Sequence, residues 1–181
     1  HRVDRRQRQM CIRDRFQDVY LFEDTIENNI KFGKQNASHE EVVEAAKKAR
    51  CHEFIEALPE GYDTIIGEGG ASLSGGEKQR ISIARAMLKD ADIIIFDEAT
   101  ANIDPENEDK LKEAIEELTK NKTVIMIAHR LKTIRNADQI LVLKDGEIVE
   151  RGNHEELIKN NGLYSDLVNA KAKAESWKLM N

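Results

Sequence analysis

The sequence predicts an α/β fold: a mostly parallel sheet flanked by helices, with a small helical subdomain early in the chain and a β-hairpin near its C-terminal end. Three observations predict it. The unbroken apolar runs Asp92 to Phe96 and Thr123 to Ala128 have the composition of strands covered on both faces, as a parallel sheet requires. Around them lie segments whose apolar residues recur every three to four positions, so strands alternate with amphipathic helices. Gln139-Ile140-Leu141-Val142-Leu143 and Glu147-Ile148-Val149-Glu150 flank Lys144-Asp145-Gly146, which reads as two strands joined by a tight turn.

Taken in order, the first 15 residues fit nothing that follows. Met10-Cys11-Ile12-Arg13-Asp14-Arg15 places charges where a buried strand needs apolar side chains, so residues 1–15 read as a non-native or a disordered basic extension. Ser38 with Glu41 three residues later matches a capping box, and Val42, Val43, Ala46 and Ala49 carry a helix to about Arg50. A second short helix through Phe54, Ile55, Ala57 and Leu58 stops at Pro59, which cannot continue the hydrogen-bond ladder. Gly61 to Gly70 reads as loop, closing a helical subdomain over about residues 34–75. A helix then opens at Ser74, with Ile81, Ala84 and Met87 or Leu88 as its buried stripe. Asp104 and Pro105 start another, whose Leu111, Ile115 and Leu118 face inward. Helices over about His154 to Lys159 and Leu163 to Leu179 finish the chain.

Bulk properties narrow the class. A chain of 181 residues with 40% hydrophobic composition is long enough for a core of its own, and a single α/β unit is expected. The net charge of −6 is uneven: residues 1–15 hold six Arg against two Asp, so residues 16–181 carry −10. An acidic body without a basic stripe argues against nucleic acid as the main partner. Cys11 and Cys51 lack metal-type spacing and suit a reducing setting, and no apolar run approaches the roughly 18 residues needed to span a bilayer.

The chemistry concentrates in a few short motifs. Leu73-Ser74-Gly75-Gly76-Glu77-Lys78-Gln79-Arg80 opens a helix with two glycines, so unpaired backbone N–H groups and a positive dipole end face an anion with no Cβ in the way. Ser74 and Glu77 also match a capping box, a purely structural helix start that is compatible with the first reading. About 20 residues on, Ile93-Ile94-Ile95-Phe96-Asp97-Glu98 ends a buried strand in an acidic pair. Phe16-Gln17-Asp18 lies upstream, and Ala101-Asn102-Ile103-Asp104 and Ile127-Ala128-His129-Arg130 lie downstream.

In this order the motifs resemble the Q-loop, signature, Walker B, D-loop and H-loop of the ATP-binding-cassette (ABC) ATPases, from about Phe16 to Leu167. Val19 to Phe22 with Thr25 to Ile30 resembles the exporter type. The resemblance implies a P-loop NTPase-like ABC ATPase fold, incomplete here. It also implies a nucleotide-binding domain that uses ATP and Mg²⁺ to drive transmembrane export from the cytoplasmic face of the cell membrane. The alternative is a soluble relative in the same superfamily acting on nucleic acid or ribosomes.

The same resemblance assigns roles by position. Asp97 is expected to hold Mg²⁺, and Glu98 to polarise the attacking water. His129 is expected on the γ-phosphate, and Gln17 as a releasable ligand of Mg²⁺ or water. Leu73, Ser74, Gly75, Gly76 and Glu77 are expected on the γ-phosphate of ATP held by a second nucleotide-binding domain in a head-to-tail dimer. Asp104 either caps the helix at Pro105, meets that partner, or both. The Gln17 region and helical subdomain are expected to face a transmembrane domain. The departure from the pattern is large: no Gly-x-x-x-x-Gly-Lys-Ser/Thr occurs in these residues, so the chain reads as the C-terminal portion of such a domain and is expected to be inactive alone.

Overall fold

The computed structural model describes the backbone of residues 20–67, 72–97, 105–127 and 134–178, and within these the side chains other than those of 97, 105–108 and 171–178. The chain divides into two units, His1–Ile127 and Ala128–Asn181.

In the first unit, β1 (Asp24–Thr25) runs straight into α1 (Ile26–Lys31), where the Thr25 hydroxyl accepts the Asn28 N–H at 3.1 Å. Neither element is predicted above, because six residues are too few for a helical period to register. The helices at α2 (His39–Lys48) and α3 (His52–Glu56) fall where the sequence places them. The Ser38–Glu41 capping box that starts α2 is complete in both directions. The stretch read as loop holds a 3₁₀ turn at Gly61–Asp63 and β2 (Ile65–Ile66), which pairs antiparallel with β1. Those two residues become a strand only because β1 lies alongside them, a long-range fact with no local signature.

Next comes α4 (Gly75–Lys89), 15 residues long and closed by Asp90 in the left-handed region at φ 50°. After it come β3 (Ile93–Asp97), α5 (Pro105–Thr119) and β4 (Thr123–Ile127). The stripe expected on α4 is buried at Ile81 and Ala84, with Met87 and Leu88 partly covered. It joins Val42, Ala46 and Ala49 of the α2 region, Phe96 of β3, and Leu111 and Leu118 of α5 in one core, each large side chain contributing about 1.5–3 kcal/mol by leaving water.

β3 and β4 pair in parallel with no offset, Ile93 opposite Thr123 and Asp97 opposite Ile127. The expectation of two strands covered on both faces is corrected here: Ile93 of β3 is 47% exposed, and Val124, Ile125, Met126 and Ile127 of β4 are 38–50% exposed. Apolar composition marks a strand fit for burial, but β4 has β3 as its one strand neighbour among the described residues, which leaves its remaining surface open.

In the second unit, β5 (Ile140–Lys144) and β6 (Glu147–Gly152) form the expected hairpin, with a register shift at Val142/Leu143. Asp145 (φ 53°) and Gly146 (φ 85°) give the two positive angles that match a tight turn to the twist of its strands. Helices α6 (His154–Lys159) and α7 (Leu163–Lys178) follow, and Ile140, Val142, Leu157 and Tyr164 make the small core. The Glu150 carboxylate accepts the Leu163 and Tyr164 N–H groups and so caps α7. Among the described residues no helix is long and apolar enough to cross a membrane.

Cys51 is fully buried, its thiol donating to the Ala46 carbonyl at 3.4 Å, and burial pushes its pKa up from 9.0 to about 12. The folded chain therefore keeps a proton that the unfolded chain releases above 9.0, so this group's contribution to stability falls as pH rises through that window. Iodoacetamide at pH 8 should leave Cys51 unlabelled in the folded protein and label it in urea; rapid native labelling would contradict the burial.

Candidate functional site: the glycine turn of α4

Leu73 is partly buried against the core and anchors the turn from behind. Ser74, as N-cap, has extended backbone (φ −64°, ψ 159°), and its hydroxyl accepts the Glu77 N–H at 3.3 Å. In return the Glu77 carboxylate accepts the Ser74 N–H and the Ser74 hydroxyl, each at 2.8 Å. The capping box read from the sequence is thus formed, and it contributes about 1 kcal/mol to the helix start. It uses the N–H groups of Ser74 and Glu77. The N–H groups of Gly75 and Gly76 belong to the first turn, where no preceding carbonyl is available within the helix.

Ser74 and Gly75 are exposed and Gly76 is buried. A Cβ built on Gly75 would meet nothing within 4 Å. The turn therefore offers an open approach at Gly75, first-turn N–H groups without a partner inside the helix, and the positive end of a 15-residue helix. That donor set fits a phosphate oxygen. Two turns in, Arg80 is buried with its guanidinium 5.4 Å from the centre of the Phe54 ring, and burial lowers its pKa.

The acidic strand end is placed by backbone alone. β3 finishes at Asp97 level with Ile127 of β4, so both parallel strands end at the same height, and the carboxyl ends of parallel strands are where α/β folds bind ligands. The Asp97 side chain, together with Gln17, Glu98, Asp104 and His129, lies outside the described residues. Among the described residues no cluster of His, Cys, Asp or Glu is arranged to hold a metal ion. The other described histidines have ordinary partners: His39 meets Glu27 at 2.8 Å, His52 meets the Tyr62 hydroxyl at 2.9 Å, and His154 meets the Tyr164 hydroxyl at 2.8 Å.

A further polar centre escaped the sequence reading. Asn29, buried in α1, and Arg85, on α4, are 56 residues apart and hydrogen-bonded. Asn29 lies in the stretch that resembles the exporter type, but nothing in the sequence marks its pairing with Arg85, which exists only in space.

A family model described as ABC transporter matches residues 2–101. The chain is 58% identical over 151 residues to an ATP-dependent lipid A-core flippase of Syntrophus aciditrophicus (strain SB), covering 83% of this chain and 25% of the flippase. It is 51% identical over 168 residues to the Beta-(1-->2)glucan export ATP-binding/permease protein NdvA of Brucella melitensis biotype 1, covering 93% and 28%. The chain thus spans about a quarter of the length of these curated relatives. Among solved structures it resembles a bacterial Atm1-family ABC exporter with ATP bound, at 45% identity and a TM-score of 0.76 over 87% of this chain and 28% of that one. At that identity and score the two share their fold over the common span.

Proposed function

Because this chain belongs to the ABC transporter family, we propose that it is the ATP-binding and ATP-hydrolysing part of an exporter, coupling turnover to outward transport through a transmembrane partner at the cytoplasmic face of the cell membrane. One observation carries the reading: the capped turn of α4 is exposed at Ser74 and Gly75 and has an open approach at the helix's N-terminal end, in a chain whose relatives are named as exporters. A second domain of the same kind, set head to tail, completes the site. Leu73 supports the turn, Ser74 and the Gly75 and Gly76 N–H groups bind the terminal phosphate, and Glu77 holds the turn's shape through its cap.

Asp97, with Gln17, would hold Mg²⁺, which when bound screens the charge between nucleotide and acids. Glu98 takes the proton of the attacking water, His129 orients on the γ-phosphate, and Asp104 serves the dimer contact. The matched strand ends at Asp97 and Ile127 support this arrangement, since Glu98 and His129 follow those ends by one and two residues. The exporter relatives and the acidic body favour this over action on nucleic acid.

Phosphate release from ATP by the full-length protein tests the proposal. Turnover should require Mg²⁺ and stop when it is chelated. Failure of the purified full-length protein to bind or hydrolyse ATP would overturn it. The 181-residue chain alone, whose sequence holds no Gly-x-x-x-x-Gly-Lys-Ser/Thr, should release little or no phosphate.

A further inference from the structure

Arg85 sits three turns along α4 from the glycine turn, and its guanidinium is committed to the segment that follows Gln17 in the chain. Nε donates to the Asn29 carbonyl at 2.8 Å, Nη2 to the Asn29 side-chain oxygen at 3.1 Å, and Nη1 to the Tyr20 carbonyl at 3.2 Å. The same group lies 5.6 Å from the centre of the Phe22 ring and 5.4 Å from that of Phe32. Asn29, 1% exposed, completes the clamp: its Oδ1 accepts the Phe22 N–H at 2.9 Å, and its Nδ2 donates to the carbonyls of Phe22 at 3.1 Å and Thr25 at 3.0 Å.

The rings held this way face outward. Tyr20 is 55%, Phe22 38% and Phe32 58% exposed, and they touch in series, with centroids 5.3 Å and 4.8 Å apart. Only a planar fork of donors can serve three acceptors on two residues while lying on two rings; an ammonium cannot. Between Arg85 and the glycine turn runs uninterrupted α-helix, about 16 Å at 1.5 Å per residue, without proline or an internal break. A displacement at one end is therefore passed to the other with little loss.

We propose that Arg85 is a positioning residue that couples the Ser74–Glu77 turn to the aromatic surface of Tyr20, Phe22 and Phe32, so that phosphate seated at the turn and the placement of that surface change together. The proposal rests on the ATP-binding reading above. It assigns to α4 the task of reporting nucleotide occupancy to the part of the chain set against the transmembrane partner.

Hydrogen exchange on the full-length protein in lipid nanodiscs tests it, with Mg²⁺-ATP added in a Glu98→Gln background that holds nucleotide. In that background ATP should slow exchange about tenfold both at residues 74–78 and at residues 20–31, the size of an ordinary coupling between sites. Arg85→Lys should keep the first response and lose the second, to less than about twofold, in protein that stays folded at the assay temperature although its thermal midpoint falls with the lost hydrogen bonds. Should Arg85→Lys fail to fold, Phe32→Leu, at an exposed position, should roughly halve the response at 20–31. A merely structural Arg85 predicts faster exchange at 20–31 without ATP and a preserved ATP response; that result, or no response at 20–31 with Arg85 intact, overturns the coupling. Absence of protection at 74–78 with Arg85 intact would instead sink the ATP-binding reading, and the coupling with it.

Discussion

Glu98→Gln in the full-length protein should reduce ATP turnover by about 10²–10⁴ while leaving ATP binding intact, the expected cost of losing a general base. The substitution keeps the side chain's size and its capacity to accept a hydrogen bond from water, but it removes the negative charge and the proton acceptor. Its position follows from β3: the strand ends at Asp97, so Glu98 is the first residue past the carboxyl end of a rigid element level with the end of β4. Successive positions of an extended strand face opposite ways, and the proposal gives the metal to Asp97 and the water to Glu98. Phosphate release and equilibrium nucleotide binding, measured on the same preparation, separate the two roles. Turnover within a few-fold of the unsubstituted protein would remove Glu98 from the chemistry. Loss of binding together with turnover would place it among the metal ligands instead.

Gly33→Ala should destabilise the chain by about 1–3 kcal/mol or more, the cost of forcing a methyl group into a packed contact. A Cβ at position 33 would lie 2.2 Å from the Arg85 carbonyl oxygen and 3.3 Å from the Lys89 nitrogen, both main-chain atoms of α4 that cannot swing aside. α1 and α4 would have to separate, and the clamp from Arg85 to Asn29 would lengthen with them. Gly75→Ala is the matched control, since nothing stands within 4 Å of its Cβ, and it should fold with an unchanged urea midpoint. Equal midpoints for Gly33→Ala and the unsubstituted chain would show that the two helices do not pack as closely as described.

Much of this protein is legible one segment at a time. Capping boxes at Ser38–Glu41 and Ser74–Glu77 form as written, because an N-cap and its third residue meet in any chain that turns helical there. The hairpin at 140–152 follows from an Asp-Gly turn between two short apolar segments, and β3 from an unbroken apolar run. The glycine turn of the candidate site is equally local, so its motif sufficed to locate it.

Tertiary structure decided the rest, and the reason is distance along the chain. The strand character of Ile65–Ile66 depends on Asp24–Thr25 some 40 residues away, and the exposure of β4 depends on what lies beside it rather than on its own apolar residues. The meeting of Arg85 with Asn29 and Tyr20, and the need for glycine at 33, arise only when α1 is laid against α4. Periodicity and capping act over three or four residues and can be read in order; contacts between elements exist only after the chain has paid the entropy of bringing them together, and no short motif encodes them.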